Sequence, residues 1–238
     1  YSRFPPEACL KNEEALMERD INLDEISDGK LYDANDMVKV GCSDCAGCSA
    51  CCHGMGETIV LDPYDIWQLT SHLGCTFEQL LSSGRIALHV YEGLILPSLN
   101  LVGEEEGCPF LNKEGRCSIH SFRPGICRCF PLGRLYENGS FRYFLQIHEC
   151  RKENRTKMKI RKWLDIPDLR RYEKFICDWH FYIKDLQEQA KTCKEERLKE
   201  LSMQVLQDYY LIPYAPEKDF YEQFYSRGSQ GEGGNELN

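Results

Sequence analysis

Between Gly41 and His53 the chain reads GCSDCAGCSACCH, which brings Cys42, Cys45, Cys48, Cys51 and Cys52 into one short run. No other stretch constrains the fold as tightly. Two intervening residues let neighbouring thiolates converge on one metal from a single turn. The linking chain is too short for these five to bridge one another, because a disulfide needs facing Cβ vectors. Buried free cysteines in an ordinary core follow apolar periodicity, and this spacing does not. The run therefore predicts metal ligation.

The full chain has 238 residues, enough to bury one complete core with a helical appendage. It contains 14 cysteines and carries a net charge of −9, to which ionised ligand thiolates would add further negative charge unless cations offset them. That balance argues against general nucleic-acid binding. The one basic run, Arg151 to Lys162, reads as a solvated face or loop. There is no apolar run of membrane-spanning length, and no charged leader precedes a hydrophobic segment. A chain of this size does not need disulfide staples, so its cysteines predict a metal protein in a reducing, cytoplasmic compartment.

Residues 1–40 read as a polar lead-in, weakly helical over Glu13 to Arg19, with Cys9 incidental and a break at Asp28-Gly29. The cysteine-cluster metal domain follows over 41–152, a C-terminal helical segment over 153–225 and a disordered Gly-rich tail over 226–238. Asp62 as N-cap, Pro63 in the first turn and Asp65 at the positive end announce a helix with Ile66, Leu69 and Leu73 inward, closed by Gly74. Thr76 with Gln79 forms a capping box for a second, short helix. Alternation from Ile86 to Val90, a turn at Glu92-Gly93 and the apolar run from Leu94 predict a hairpin. Asn138-Gly139 predicts another, between Leu135-Tyr136 and Phe141-Tyr143. From Leu169 to Ala190, apolar residues step by three and four. A second helix carries Leu198, Leu201, Val205 and Tyr209 and stops at Pro213. The expected fold class is α+β: an irregular metal-centred core with two β-hairpins and short helices, and a C-terminal helical hairpin packed on it. Cys75, Cys177 and Cys193 read as structural, and the Glu104-Glu105-Glu106 run as a solvated loop without acid/base chemistry.

The second cysteine block contains CPFL from Cys108, CSIH from Cys117, RPGICRCFP from Arg123 to Pro131, and a late Cys150. Together with Cys45-x2-Cys48-x2-Cys51-Cys52, over roughly residues 41–150, this resembles the CxxCxxCC cysteine-cluster family, the YkgJ type, whose members are described as domains that chelate zinc or iron. One branch is flagellin lysine N-methylase, thought to carry an iron–sulfur cluster. The resemblance implies Cys45, Cys48, Cys51, Cys52, Cys108, Cys117, Cys127 and Cys150 as ligands. Cys42 joins them as a candidate. Cys129 is a second addition to the common pattern, and either can stand in for a family position. His120, where Tyr is frequent, reads as packing.

Eight thiolates divide into two sets of four, the number required by a [4Fe–4S] cluster or an all-cysteine zinc site. Adjacent cysteines are expected to point apart, so Cys51 and Cys52 are expected to serve different metal atoms, in two abutting sites or one polynuclear cluster. Arg123 and Arg128, inside the motif, are candidate cofactor-binding residues whose guanidinium groups stabilise an anionic cluster. His53 and His148, beside ligand cysteines, read as surface or hydrogen-bonded histidines. The radical-SAM spacing fails at Met55 and there is no Gly-rich cofactor loop, so S-adenosylmethionine has no signature. The leading expectation is an iron–sulfur protein for redox work or substrate binding. The alternatives are a structural zinc module that binds a protein partner, and a protein-modifying enzyme like the methylase branch acting on a protein substrate. Neither nucleic acid nor membrane is expected as a partner.

Overall fold

The computed structural model describes residues 23–42, 45 and 48–229. Cys9, the turns expected over Glu13 to Arg19 and residues 230–238 lie outside them. The architecture is α+β, with three small antiparallel sheets and helices.

Residues expected as a polar lead-in form sheet. After α1 (Leu23–Ile26) come β1 (Ser27–Tyr32) and β2 (Met37–Gly41). In β2, Val38 and Val40 are buried while Met37 and Lys39 face out. In β1 the sequence SDGKLY lacks period-two alternation, and its register shifts between Ser27 and Leu31, so no strand signal was legible there. A three-stranded sheet runs in the order β1–β6–β5, where β5 (Leu132–Glu137) and β6 (Ser140–Gln146) are the hairpin expected around Asn138-Gly139. The basic run divides into β7 (Thr156–Lys159), which pairs with β2, and α5 (Ile160–Leu164). Its Arg151, Lys157, Lys159, Arg161 and Lys162 are exposed, as a solvated face or loop should be, whereas Lys152 and Arg155 are half-buried.

Helices α2 (Pro63–Leu73) and α3 (Phe77–Ser82) both begin in capping boxes, Asp62 with Asp65 and Thr76 with Gln79. Gly74 closes α2 in the left-handed conformation. The first hairpin pairs β3 (Ile86–Tyr91) with β4 (Leu94–Leu99) and continues past Pro97. At its turn Gly93 has φ +87°, and an added Cβ would stand 3.0 Å from the Cβ of Ala190, so both backbone and space favour glycine.

Helix α6 (Leu169–Ala190) and helix α7 (Glu195–Leu206) touch each other, and both rest on β4. Gln187 Nε2 donates to Tyr91 O at 3.2 Å, and the Ile95 N–H donates to Ser202 Oγ at 3.1 Å. A π-helical turn, Gln207–Leu211, carries Tyr209 and Tyr210 into the core. The last helix, α8 (Phe220–Ser229), extends four residues into what was expected as tail. Phe220, Tyr221 and Phe224 explain it, because all three are buried. Phe224 meets Phe175 of α6 edge-to-face at 4.7 Å, and Tyr64 of α2 meets Tyr172 at 5.3 Å. Among the described residues no helix is long and apolar enough to cross a membrane.

Candidate metal centre

The first cysteine block is a chain of tight turns. Cys45 has φ 55°, the Cys48 N–H bonds Cys45 O at 3.0 Å, and the Cys52 N–H bonds Ser49 O at 2.8 Å, closing a 3₁₀ turn over Ala50–Cys52. The sulfurs of Cys42 and Cys45 lie 3.6 Å apart. Backbone bonds then sew this block to the second one. Cys108 N–H donates to Cys52 O at 2.8 Å, Gly54 N–H donates to Glu106 O at 3.2 Å, and His53 and Gly107 form an isolated bridge. Leu111 bridges Cys117 in the same way. A short helix, α4 (Gly125–Cys129), carries Cys127.

The two distant blocks therefore share one electrostatic neighbourhood. Burial pushes the Cys45 thiol up to about 12, with Cys42 adding to the shift and Arg123 opposing it. Cys51 is lowered to about 6, first by the hydrogen bond from Cys52, whose own thiol is held far above the ordinary range by that shared proton, by burial, and by the charges of Cys51, Cys108 and Cys127. Cys127 is raised by burial and then by the charges of Asp65, Cys108, Cys51 and Cys117. Burial also raises Cys108 and Cys117, and Cys51 adds to both. Cys51 is thus the hub. The expected divergence of Cys51 and Cys52 is corrected: their thiols hydrogen-bond, because a 3₁₀ turn sets successive side chains about 120° apart rather than on opposite faces.

Other candidates sit differently. Cys48 and Cys150 are partly buried, and among the described residues neither sulfur hydrogen-bonds another thiol. Cys129 is buried in the core, where the Arg134 charge acts on it. His148 is exposed, whereas His53 Nδ1 is buried without a hydrogen-bond partner among the described residues. Cys177 donates to Gly139 O at 3.3 Å, a structural contact. The described cysteines are free thiols. Among the described residues no three His, Cys, Asp or Glu side chains converge tightly enough to enclose one ion as they stand. The donor set still fits a soft, thiophilic cation. The raised thiols reflect burial and mutual repulsion, and a cation binding their ionised forms relieves the repulsion.

Two arginines have distinct positions. Arg123 lowers Cys45, Cys51 and Cys117, contacts His120 Nε2 through Nη1, and leaves its buried Nε without a hydrogen-bond partner among the described residues. Arg128 turns away, donating to the carbonyls of Ser121, Arg123, Leu164 and Asp165, so its guanidinium clamps backbone. Asp65, read from sequence only as a helix-end charge, does more. Its Oδ1 accepts the Gly125 N–H at 2.7 Å, and its Oδ2 accepts the Asp62 N–H at 3.2 Å. It thereby fixes the start of α4 two residues before Cys127. Asp65 is only 3% exposed and burial raises its carboxyl to about 6, so these backbone donors offset the cost of burying it. Sequence offered no signal for the Gly125 bond, since the partner lies 60 residues away.

A cluster of free, mutually coupled thiols, drawn from two separate loops and braced by a buried carboxylate and a guanidinium, defines a cysteine-ligated metal-binding domain. The CxxCxxCC family model, described as a domain proposed to chelate zinc or iron, matches residues 44–193, more than half of the chain, and the chain belongs to that family. No curated protein and no solved structure matched it in the same comparisons.

Proposed function

We propose that this chain carries one or two iron–sulfur clusters of the [4Fe–4S] kind on its cysteine centre, for electron transfer or for holding a substrate at an exposed iron, in a reducing compartment such as the cytoplasm. The observation that carries the reading is the hub at Cys51, whose charge reaches Cys45, Cys52, Cys108, Cys117 and Cys127. One tetrahedral zinc ion takes four thiolates. The remaining thiols of this neighbourhood would then stand beside it unligated and mutually repelling. A polynuclear cluster, or two sites that share the hub region, uses more of them. Arg123 would stabilise the anionic assembly and tune its potential. When bound, the cluster supplies reversible one-electron chemistry and an iron able to accept a ligand.

Anaerobic purification with metal analysis and spin-resonance spectroscopy tests this. Brown protein with iron and sulfide in cluster stoichiometry is expected, and Cys51→Ser should remove most of it while Cys193→Ser leaves it intact. Colourless protein holding stoichiometric zinc after strictly anaerobic handling would replace iron with a structural zinc site.

A further inference from the structure

Beside the sulfurs lies a cleft of about 780 Å³, within the size range of small-molecule sites. Cys42 and Cys117 reach its wall, so the cleft opens onto the metal centre itself. Its charge is opposite to that of the whole chain. Arg116, Arg123, Arg128 and Lys162 line it against one carboxylate among the described residues, that of Asp165, in a protein whose net charge is −9. Arg128 is engaged by carbonyls, but the buried Arg123 Nε has no partner, and Lys162 makes no ion pair among the described residues. Met158 and Trp163 give the wall an apolar side. The basic run, read from sequence as a solvated face or loop, is therefore two-sided. Met158 and Lys162 face the cleft, while Lys157 and Lys159 are exposed and absent from its lining.

We propose that this cleft binds a small organic oxyanion, a carboxylate or a phosphate monoester, beside the metal centre. The Arg123 guanidinium and Lys162 Nζ, from residues of the cleft wall, supply charge-assisted donors to the oxyanion. Met158 and Trp163 cover its carbon skeleton. The ligand's far end then lies against the Cys42–Cys117 wall, in position to meet the metal. The site stands on its own cations and does not depend on which metal the sulfurs hold.

The test is calorimetric titration of the full, metal-containing chain with succinate in one arm and glycerol 3-phosphate in the other, with metal content measured on each sample. Saturable binding of at least one ligand, weakening as salt is raised, is expected, and the arm that binds assigns carboxylate or phosphate. Lys162 is exposed on α5, so its replacement leaves the core untouched. Lys162→Glu should weaken binding about tenfold or more, Lys162→Gln less, and neither should change the metal content. Lys157→Glu makes the same charge change away from the cleft and should leave affinity unaltered. Absence of binding in both arms, or equal loss in the Lys157 and Lys162 variants, overturns the proposal. Loss of the iron reading with anion binding intact would leave this site standing.

Discussion

Phe175 is fully buried on α6, against Phe220, Tyr221 and Phe224 of α8. Cys51 sits in a single 3₁₀ turn, and its charge acts on five other thiols. The helical layer holds itself together, because aromatic burial and edge-to-face contact need nothing from outside the chain. The cysteine loops bury partial charges that repel, and their few backbone bonds define turns rather than a ladder. They have the makings of a structure completed by a cation. The two regions meet at Asp65, where the capping network of α2 reaches Gly125.

The sharpest way to break this contrast is to take the metal away. Chelation should remove a ligation free energy of about 10–16 kcal/mol from the loops. Amide protection should then vanish over the two cysteine segments, Cys42 to Gly54 and Gly107 to Cys127, while α2, the β3–β4 hairpin and the far-ultraviolet helical signal survive. A single cooperative loss of both signals would show that the regions are one unit. The reverse perturbation is Phe175→Ala, expected to cost about 3–5 kcal/mol through the cavity it leaves. Thermal melts should show it, with metal content per folded molecule unchanged.

Gly125→Ala probes the joint between the regions. An added Cβ would collide with Tyr172 Oη and stand 3.3 Å from its ring, so α4 or the buried tyrosine must shift. Overpacking of this kind costs about 1–3 kcal/mol. Here both stability and metal affinity should fall, whereas Phe175→Ala should lower stability alone. The smallest effect belongs to the helical layer. His180 stacks on Tyr136 at 3.6 Å, and burial, with Lys184 and Arg134 nearby, lowers its pKa from the ordinary 6.5 to about 4. A lowered folded pKa contributes stability above about 6.5 that is lost as pH falls through about 4. An NMR titration of the His180 ring should give a midpoint near 4, and a midpoint near 6.5 would mean the ring is not buried as described.

Elements with local signals were legible in the sequence. Asp62, Thr76 and Gly74 mark helix ends through their own hydrogen bonds, and Asn138-Gly139 sets its hairpin through positive φ at both residues. The strands β1 and β7 were not, because they are short, polar and defined by partners more than 100 residues away. α8 was hidden because its aromatic residues run straight into a Gly-rich tail. At the centre, cysteine spacing identified the chemistry. It could not show that Cys52 donates to Cys51, that Arg128 is engaged by carbonyls, or that a carboxylate from α2 holds Gly125. Those depend on how distant segments meet.

The pairing of Gly41 with Thr156 sets an order of events during synthesis. β2 is made immediately before Cys42, and its partner strand only after Cys150. Every candidate ligand thus leaves the ribosome before the strand that latches the segment shut. A metal ion that reaches the thiols before β7 is made meets the loop without its latch.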